Sequence, residues 1–577
     1  MTDAAPQFTD RDQAIAHLQA TNPLFEVGEA DIRGVTYRVF KNAPPSLRDL
    51  FGFAALHGDK DFIVFRDDRF TFADTYAKAN QFAHALTEEL GVKPGDKVAI
   101  AMRNYPEWCF AYMGAISMGA VVVPLNAWWG TDEFDYALSD CGAKVIVCDA
   151  KRLEALKPLR EKFGLTLVLA RETGDGADQQ FDDLVADRAT DAPTNPIDPD
   201  QDFCICYTSG STGHPKGVVL THRGALSTIM SWALLAEATK LTEGDMFGET
   251  PGVLMGIPLF HVTASHSHFM LSMVAGRKIV MMYKWDVEEA LGLLETEELS
   301  NFVGVPTQSL ELANAAGDRR FPKLIDIGAG GAKRPPEHVE RIAKAFPGSH
   351  PSAGYGLTET NALGAVIGRA EYRDHPDSTG KVVPPVTDMR IVAEGKDMPV
   401  GEKGEIWIRS PANFREYLNK PEATAEAFAE DGWFRTGDMG RFDADGFLYV
   451  EGRYKDIVIR GGENISALEV ENAIYTDENV AEVAVISVPH DVLGEVVGAV
   501  VLPKPGCTID PESVRATVLE HLAPFKAPEV VWIAPQQLPR VGTGKIDKLT
   551  TRQIALANEP NWRFGGYDEA LSLGGRA

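Results

Sequence analysis

From Asp61 to Cys148 short apolar runs alternate with stretches of helical period, which restricts the chain to a parallel sheet covered by helices on both faces. Phe62-Ile-Val-Phe65, Arg69-Phe-Thr-Phe72, Lys97-Val-Ala-Ile-Ala-Met102, Val121-Val-Val-Pro124 and Lys144-Val-Ile-Val-Cys148 read as strands. Tyr76, Ala79, Phe82, Ala83 and Leu86 recur at helical spacing, and further helices are predicted, one containing residues 112–118 and one near residues 132–139. A length of 577 residues exceeds what one core serves, so more than one domain is expected. Residues 1–45 are loosely patterned and read as an extension packed on the main body, with a helix near residues 11–20. The acidic, proline-containing stretch 180–201 is expected to connect two sheets across the surface. Beyond residue 381, short strands over 388–392, 405–408 and 446–451 predict a small β-rich subdomain. From about residue 456, helices over 467–474 and 511–522 and strands over 480–488, 494–502 and 530–533 form a unit able to fold alone.

The most specific stretch is Tyr207-Thr-Ser-Gly-Ser-Thr-Gly-His-Pro-Lys-Gly217, a polar turn between apolar strands at 203–207 and 218–220. Gly210, Gly213 and Gly217 let backbone N–H groups approach an anion, while Thr208, Ser209, Ser211 and Thr212 offer hydroxyls and Lys216 a point charge. That is a grip for a nucleoside triphosphate. It is not a P-loop, because Lys216 follows Pro215 and precedes Gly217, so the metal-binding hydroxyl after the lysine is missing. A Ser/Gly-rich surface hairpin is the ordinary reading of such a composition, but the full string is far less generic than its composition.

Formal charge and cysteine pattern narrow the partners. A net charge of -27 argues against nucleic acid and against docking on anionic lipid, since both demand a basic face. Cys109, Cys141, Cys148, Cys204, Cys206 and Cys507 form no metal-like spacing and are expected to be reduced core thiols. The N-terminal residues lack a basic segment followed by an apolar one, no run reaches about 18 apolar residues, and a cytoplasmic location is expected.

Tyr207 to Gly217 resembles the phosphate-binding signature of the acyl-adenylate-forming superfamily, which includes acyl-CoA synthetases, luciferases and the adenylation domains of peptide synthetases. Pro258-Leu-Phe-His-Val262, Phe302-Val-Gly-Val-Pro-Thr307, Gly354-Tyr-Gly-Leu-Thr-Glu-Thr360 and Trp433-Phe-Arg-Thr-Gly-Asp438 follow in family order. So do Gly452-Arg-Tyr-Lys-Asp-Ile-Val-Ile-Arg-Gly-Gly-Glu-Asn464 and Leu538-Pro-Arg-Val-Gly-Thr-Gly-Lys-Ile-Asp547. The resemblance implies an α/β fold. A large N-terminal domain, residues 1–454, would hold two α/β sheets and a β-rich subdomain, and a small mobile C-terminal α+β domain, 455–577, would turn on a hinge near Lys455.

The same resemblance implies the chemistry: ATP-dependent ligation of a carboxylic acid to coenzyme A through an acyl adenylate, with Mg2+ and release of AMP and pyrophosphate. Lys545 would bridge the substrate carboxylate and the α-phosphate, His261 would lie beside that carboxylate, and Glu359 would offer a hard oxygen to Mg2+, with the Thr208 hydroxyl as a second candidate. Gly330, Gly331 and Ala332 would lie along adenine and Tyr355 would stack on it. Gly356 belongs to the same nucleotide segment, Thr358 would bond a phosphate oxygen, and Asp438 with Arg453 would hold the ribose. Gly461 and Gly462 would form a narrow passage for the pantetheine arm of CoA. Apolar and small residues between Ile229 and Phe269, with Met230, Trp232, Ala264 and Met270, point to a medium- or long-chain fatty acid. The alternatives are an aryl or other bulky acid, or transfer to a carrier protein instead of CoA. Oligomeric state is left open, a homodimer being one option.

Overall fold

The computed structural model describes residues 8–208, 215–248, 251–461, 463–541 and 545–563. Two large sheets organise the first two-thirds of the chain. The nine-stranded sheet runs from Lys381–Val382 at one edge, through Asp326–Gly330, Asn301–Gly304 and Gly252–Met255, to Asp68–Thr71 at the other. The eight-stranded sheet runs from Glu416–Tyr417, through Lys216–Thr221, Asp202–Thr208, Val121–Pro124 and Lys97–Ala101, to Gln179–Gln180. Their central strands are parallel, as the alternation predicts, while Asp202–Thr208 and Lys216–Thr221 pair antiparallel as a hairpin.

A helix with every residue buried, Pro106–Ser117, packs on helix Phe72–Glu88 between these sheets. Its sequence, Pro106-Glu-Trp-Cys-Phe-Ala-Tyr-Met-Gly-Ala-Ile-Ser117, is apolar nearly all round, the pattern of a helix with no face left for water. The core around it draws Phe62 and Phe65 from one sheet and Val98, Ile100 and Val122 from the other. Close approach of the two helices depends on Gly114, where an added Cβ would lie 2.6 Å from the Ala79 carbonyl oxygen. Each large apolar side chain buried here contributes about 1.5–3 kcal/mol, so this layer ties the two sheets into one body.

The stretch 180–201 departs from expectation. It leaves the edge strand Gln179–Gln180 and returns to Asp202–Thr208, so both its ends belong to the same eight-stranded sheet. It is drawn under helix Phe72–Glu88, where Asn80 Nδ2 donates to the Thr190 carbonyl (2.9 Å) and Arg188 pairs with Glu88 (2.9 Å). The N-terminal extension packs on the body as read. Helix Arg11–Thr21, capped by Asp10, lies on helix His222–Glu243, and Ala14, Ile15 and Phe25 share a core with Met230 and Leu234. Five of the six cysteines are buried free thiols, but Cys507 is only partly buried, because it sits in a turn after strand Gly494–Pro503.

Strands Asp388–Ala393, Gly404–Arg409, Phe434–Phe442 and Leu448–Arg453, with a short edge strand, make an antiparallel five-stranded sheet. The last sheet begins at Ile457–Arg460 and has its own core of Val458, Ile465, Val470, Val483, Val485, Val497 and Val531. Helix Lys548–Leu556, which the periodicity did not predict, packs on strand Val480–His490. No helix among the described residues is long and apolar enough to cross a membrane.

Candidate active site

The hairpin that carries the phosphate signature closes with Thr208 opposite Lys216 and Tyr207 opposite Gly217. Edge strand Glu416–Tyr417 pairs with it through Val218, which carries the Tyr417 side chain to the site. The Tyr417 ring lies 4.5 Å from the Lys216 ammonium, and its hydroxyl donates to Glu359 Oε1 at 2.9 Å. Nothing in the local sequence marks Tyr417. Only pairing across about two hundred residues brings it here, and an edge strand of two residues leaves no periodic signal.

Glu359 sits in the short 3-10 turn Thr358–Thr360, just beyond strand His350–Tyr355, and its own carbonyl accepts from Phe414 N at 2.7 Å. Burial pushes its carboxyl above the usual range, against the pull of the Tyr417 hydroxyl and of Arg453. Such a carboxylate gains from a nearby cation. Among the described residues no group of three or more His, Cys, Asp or Glu could hold a metal, so a cation here would rely on one carboxylate plus substrate oxygens and water. That donor set fits Mg2+, which keeps its waters and favours phosphates over all-protein cages.

A second constellation forms around Asp438, which is 5% exposed. It faces Arg453 across adjacent strands, Arg453 Nε lies 3.2 Å from Asp438 Oδ1, and the Tyr355 hydroxyl donates to Oδ2 at 2.8 Å. Burial raises the Asp438 carboxyl, while Arg453, Tyr355 and Lys545 draw it down. Burial opposes the Arg453 charge too, yet Asp438, Asp456 and Glu359 together hold its guanidinium above its ordinary value.

Lys545 comes to this place from the far end of the chain. The loop that carries it is pinned at its base, where Arg540 and Ile546 form a bridge and Arg540 ion-pairs with Glu482 of strand Val480–His490. At Gly331 a Cβ would come within 2.9 Å of Lys545 Cε, so this glycine leaves room for the lysine as well as adopting φ +79°. Burial lowers the Lys545 ammonium to about 8, with Arg453 adding to the shift and Asp438 opposing it.

His261 follows the last strand turn before a π-helical segment, Thr263–Met270. Burial and the nearby Lys545 lower its imidazole to about 3, so the ring is neutral, and its buried Nε2 has no hydrogen-bond partner among the described residues. Gly330 ends the neighbouring strand, 3.6 Å from Thr263 Cγ2 by its would-be Cβ. At Gly356 a Cβ would strike the Ala362 carbonyl at 2.2 Å, which makes glycine obligatory there.

Contacts link Lys216 through Tyr417 to Glu359, Tyr355 to Asp438 and Arg453, and Lys545 to Asp438, Gly331 and His261, while Thr208 pairs with Lys216 and Gly330 precedes Gly331. Thr358 and Gly356 lie in the adjoining turn, and Ala332 follows Gly331 at the exposed rim. Gly461 is not among them: it bonds through its N–H to the Leu493 carbonyl (2.9 Å) and faces its own sheet. Ser209, Gly210, Ser211, Thr212, Gly213 and Gly462 lie outside the described residues, and of Lys455 only the backbone, in the turn Tyr454–Asp456, is described. Met230 and Met270 are packed in apolar cores.

The chain resembles known proteins along most of its length. The sequence model of the AMP-binding enzyme family matches residues 50–418, and that of the AMP-binding enzyme C-terminal domain matches 469–545. A long-chain-fatty-acid–CoA ligase, FadD13 of Mycobacterium tuberculosis, is 32% identical over 510 residues, covering 86% of this chain and 95% of its own. A feruloyl-CoA synthase of an Amycolatopsis species is 34% identical over 487 residues, covering 84% and 93%. Among solved structures, o-succinylbenzoate CoA synthetase of Bacillus subtilis with its acyl-adenylate intermediate superposes with a TM-score of 0.76 at 25% identity, covering 90% of this chain and 99% of that one.

Proposed function

Since the chain belongs to the AMP-binding enzyme family and is an AMP-forming acid–CoA ligase, we propose that Lys545, Lys216 and Glu359 carry its first half-reaction and that its acid is a medium- or long-chain fatty acid. The observation that carries the assignment is the enclosure of Lys545 beside Asp438, Arg453, Gly331 and His261, although it is delivered by a different sheet.

In that reaction a carboxylate oxygen attacks the α-phosphorus of ATP, the bond to the bridging oxygen breaks, and pyrophosphate leaves. Carboxylate and triphosphate repel each other, so the protein must place positive charge where negative charge accumulates. Lys545 sits between the two reacting groups, Lys216 meets the phosphates leaving the hairpin, and Asp438 with Arg453 fixes the ribose. Tyr355, Gly330, Gly331 and Ala332 bound the adenine side. Thr358 reaches a phosphate oxygen, and Ser209, Gly210, Ser211, Thr212 and Gly213 complete the phosphate grip. His261, neutral and with an unsatisfied Nε2, meets the acid's carboxylate. Bound at Glu359, with Thr208 as a further oxygen, Mg2+ would neutralise charge on the departing pyrophosphate.

In the second half-reaction the CoA thiol attacks the acyl carbonyl, the C–O bond to AMP breaks and AMP leaves. Lys545 has no part in that step, and we place the division between a large domain, 1–454, and a small one, 455–577, that turns on Lys455 and brings Gly461 and Gly462 to the pantetheine path. Strand Leu448–Arg453 closes one sheet and Ile457–Arg460 opens the next, which supports the position of the hinge. A cytoplasmic site fits its free thiols and its two soluble cosubstrates. The fatty acid reading rests on the relationship to FadD13, and the feruloyl-CoA synthase keeps an aryl acid as the second reading. A panel of acids assayed by AMP release with CoA decides: turnover greatest on acids of eight or more carbons supports the first, turnover confined to cinnamate-like acids supports the second, and no CoA-dependent turnover of any acid overturns both.

A further inference from the structure

Behind Glu359 lies a chain of buried polar contacts that the reaction as described leaves unused. Asn361, two residues on, is buried and left-handed (φ 51°), a conformation that asparagine tolerates better than most side chains. Its Nδ2 donates to the Ala412 carbonyl at 2.7 Å, two residues before Phe414, whose N–H holds the Glu359 carbonyl. Its Oδ1 lies 3.0 Å from His266 Nε2. His266 is wholly buried in the π-helical segment, and its Nδ1 lies 3.0 Å from the Ser265 hydroxyl. That hydroxyl is also 3.2 Å from the carbonyl of His261. Because the Asn361 amide oxygen can only accept, Nε2 carries the proton in this contact. Gly224 of helix His222–Glu243 backs the amide so closely that a Cβ there would sit 2.7 Å from Asn361 Nδ2. Asn361 thus has one seat, fixed from three elements.

We infer that His266 and Asn361 are positioning residues that aim the Glu359 carboxylate at the metal, linking the π-helical segment on the acid side to the turn on the metal side. The inference rests on the reading of Glu359 as the Mg2+ ligand. A buried histidine–asparagine pair is worth keeping at the core only if its geometry matters, since apolar groups of similar shape would pack there at no cost in unmet hydrogen bonds. His268 gives an internal contrast: it is equally buried in the same segment, but its Nε2 meets the Val303 carbonyl (3.1 Å) and never approaches the turn.

The test uses the full-length protein with Mn2+ as the metal probe. Binding of Mn2+ with ATP is read by electron paramagnetic resonance, and Mg2+ half-saturation is read in acid-dependent ATP–pyrophosphate exchange. His266→Ala and Asn361→Gly are expected to weaken Mn2+ binding and raise Mg2+ half-saturation about 10-fold, the range seen when groups that orient a metal ligand are lost. ATP binding in the presence of EDTA and the KM for the acid should stay within about twofold. His266→Gln, which keeps a donor near the Nε2 position, should recover most of the loss, and His268→Gln should leave metal dependence as it is. Lower thermal stability with unchanged metal dependence in both His266→Ala and Asn361→Gly overturns the inference, as does an equal shift in His268→Gln. Glu359→Gln separates the two levels: if it leaves Mn2+ binding intact, the assignment of the ligand fails; if it abolishes binding while His266→Ala does not weaken it, only the positioning role fails.

Discussion

The large domain and the C-terminal unit both supply residues to the candidate site, but they hold their contributions on different terms. Asp438 and Arg453 face each other through strand register, and Tyr355 reaches Asp438 from the end of another sheet strand, so their geometry is built into backbone pairing. Lys545 has no such frame. Its loop is pinned to strand Val480–His490 of its own sheet, and its place beside Asp438 depends on how that sheet lies against the rest. On the proposed roles, groups used in both half-reactions sit on the fixed frame, and the group used in one is delivered from outside.

The largest expected effect separates these two kinds of contribution. Lys545→Ala should lower ATP–pyrophosphate exchange by about 10²–10³-fold, the scale of removing one preorganised charge, while CoA attack on supplied acyl adenylate changes little. An equal loss in both half-reactions, measured on the same preparation, would show that the lysine is not specific to one step. Asp438→Asn should behave in the opposite way. It weakens the ion pair with Arg453 inside a buried site, so both half-reactions and folding stability should suffer, with about 10-fold or more in apparent AMP and ATP binding by calorimetry.

Acidity sharpens the contrast further. With its ammonium lowered to about 8 from an ordinary 10.5, Lys545 is charged below that pH and loses its proton above it. On its proposed role the step needs the ammonium, so kcat/KM for adenylate formation should fall on the alkaline side with a midpoint near 8, and Lys545→Arg should remove that limb. The thioester-forming step, followed from supplied acyl adenylate, should show no such limb. A shared alkaline midpoint in both steps would assign the titration to another group. Smallest is Tyr417→Phe, which keeps the ring beside Lys216 but removes the hydroxyl bond to Glu359. One hydrogen bond to a charged group corresponds to about 10-fold, read as weaker Mg2+ dependence with unchanged acid KM.

What could be read from sequence follows the same division. Local signals sufficed wherever structure is local: strands Val121–Pro124 and Val530–Ile533 and helix Ala467–Ile474 fall where periodicity put them, and the glycine-bearing motifs mark the rim of the cleft. The all-buried helix Pro106–Ser117 contains most of the stretch its apolar pattern marked, and Pro106 is preset for its first helical turn. Tyr417, His266 and Asn361 escaped notice because their partners are remote in the chain, and the seat of each exists only once several elements have met. Met230 and Met270 show the converse: packing between elements uses the same residue types as binding an apolar ligand, so apolarity alone does not mark a pocket.

The two-residue strand Glu416–Tyr417 has a consequence for biogenesis. It covers the outer edge of Lys216–Thr221, yet it is synthesised some two hundred residues later. Until the ribosome has delivered it, that hairpin shows an uncapped row of amide and carbonyl groups, an invitation to pair with a neighbouring polypeptide. Closure over so long a separation is slow, so a chain truncated before residue 417 should aggregate more readily than the full-length protein.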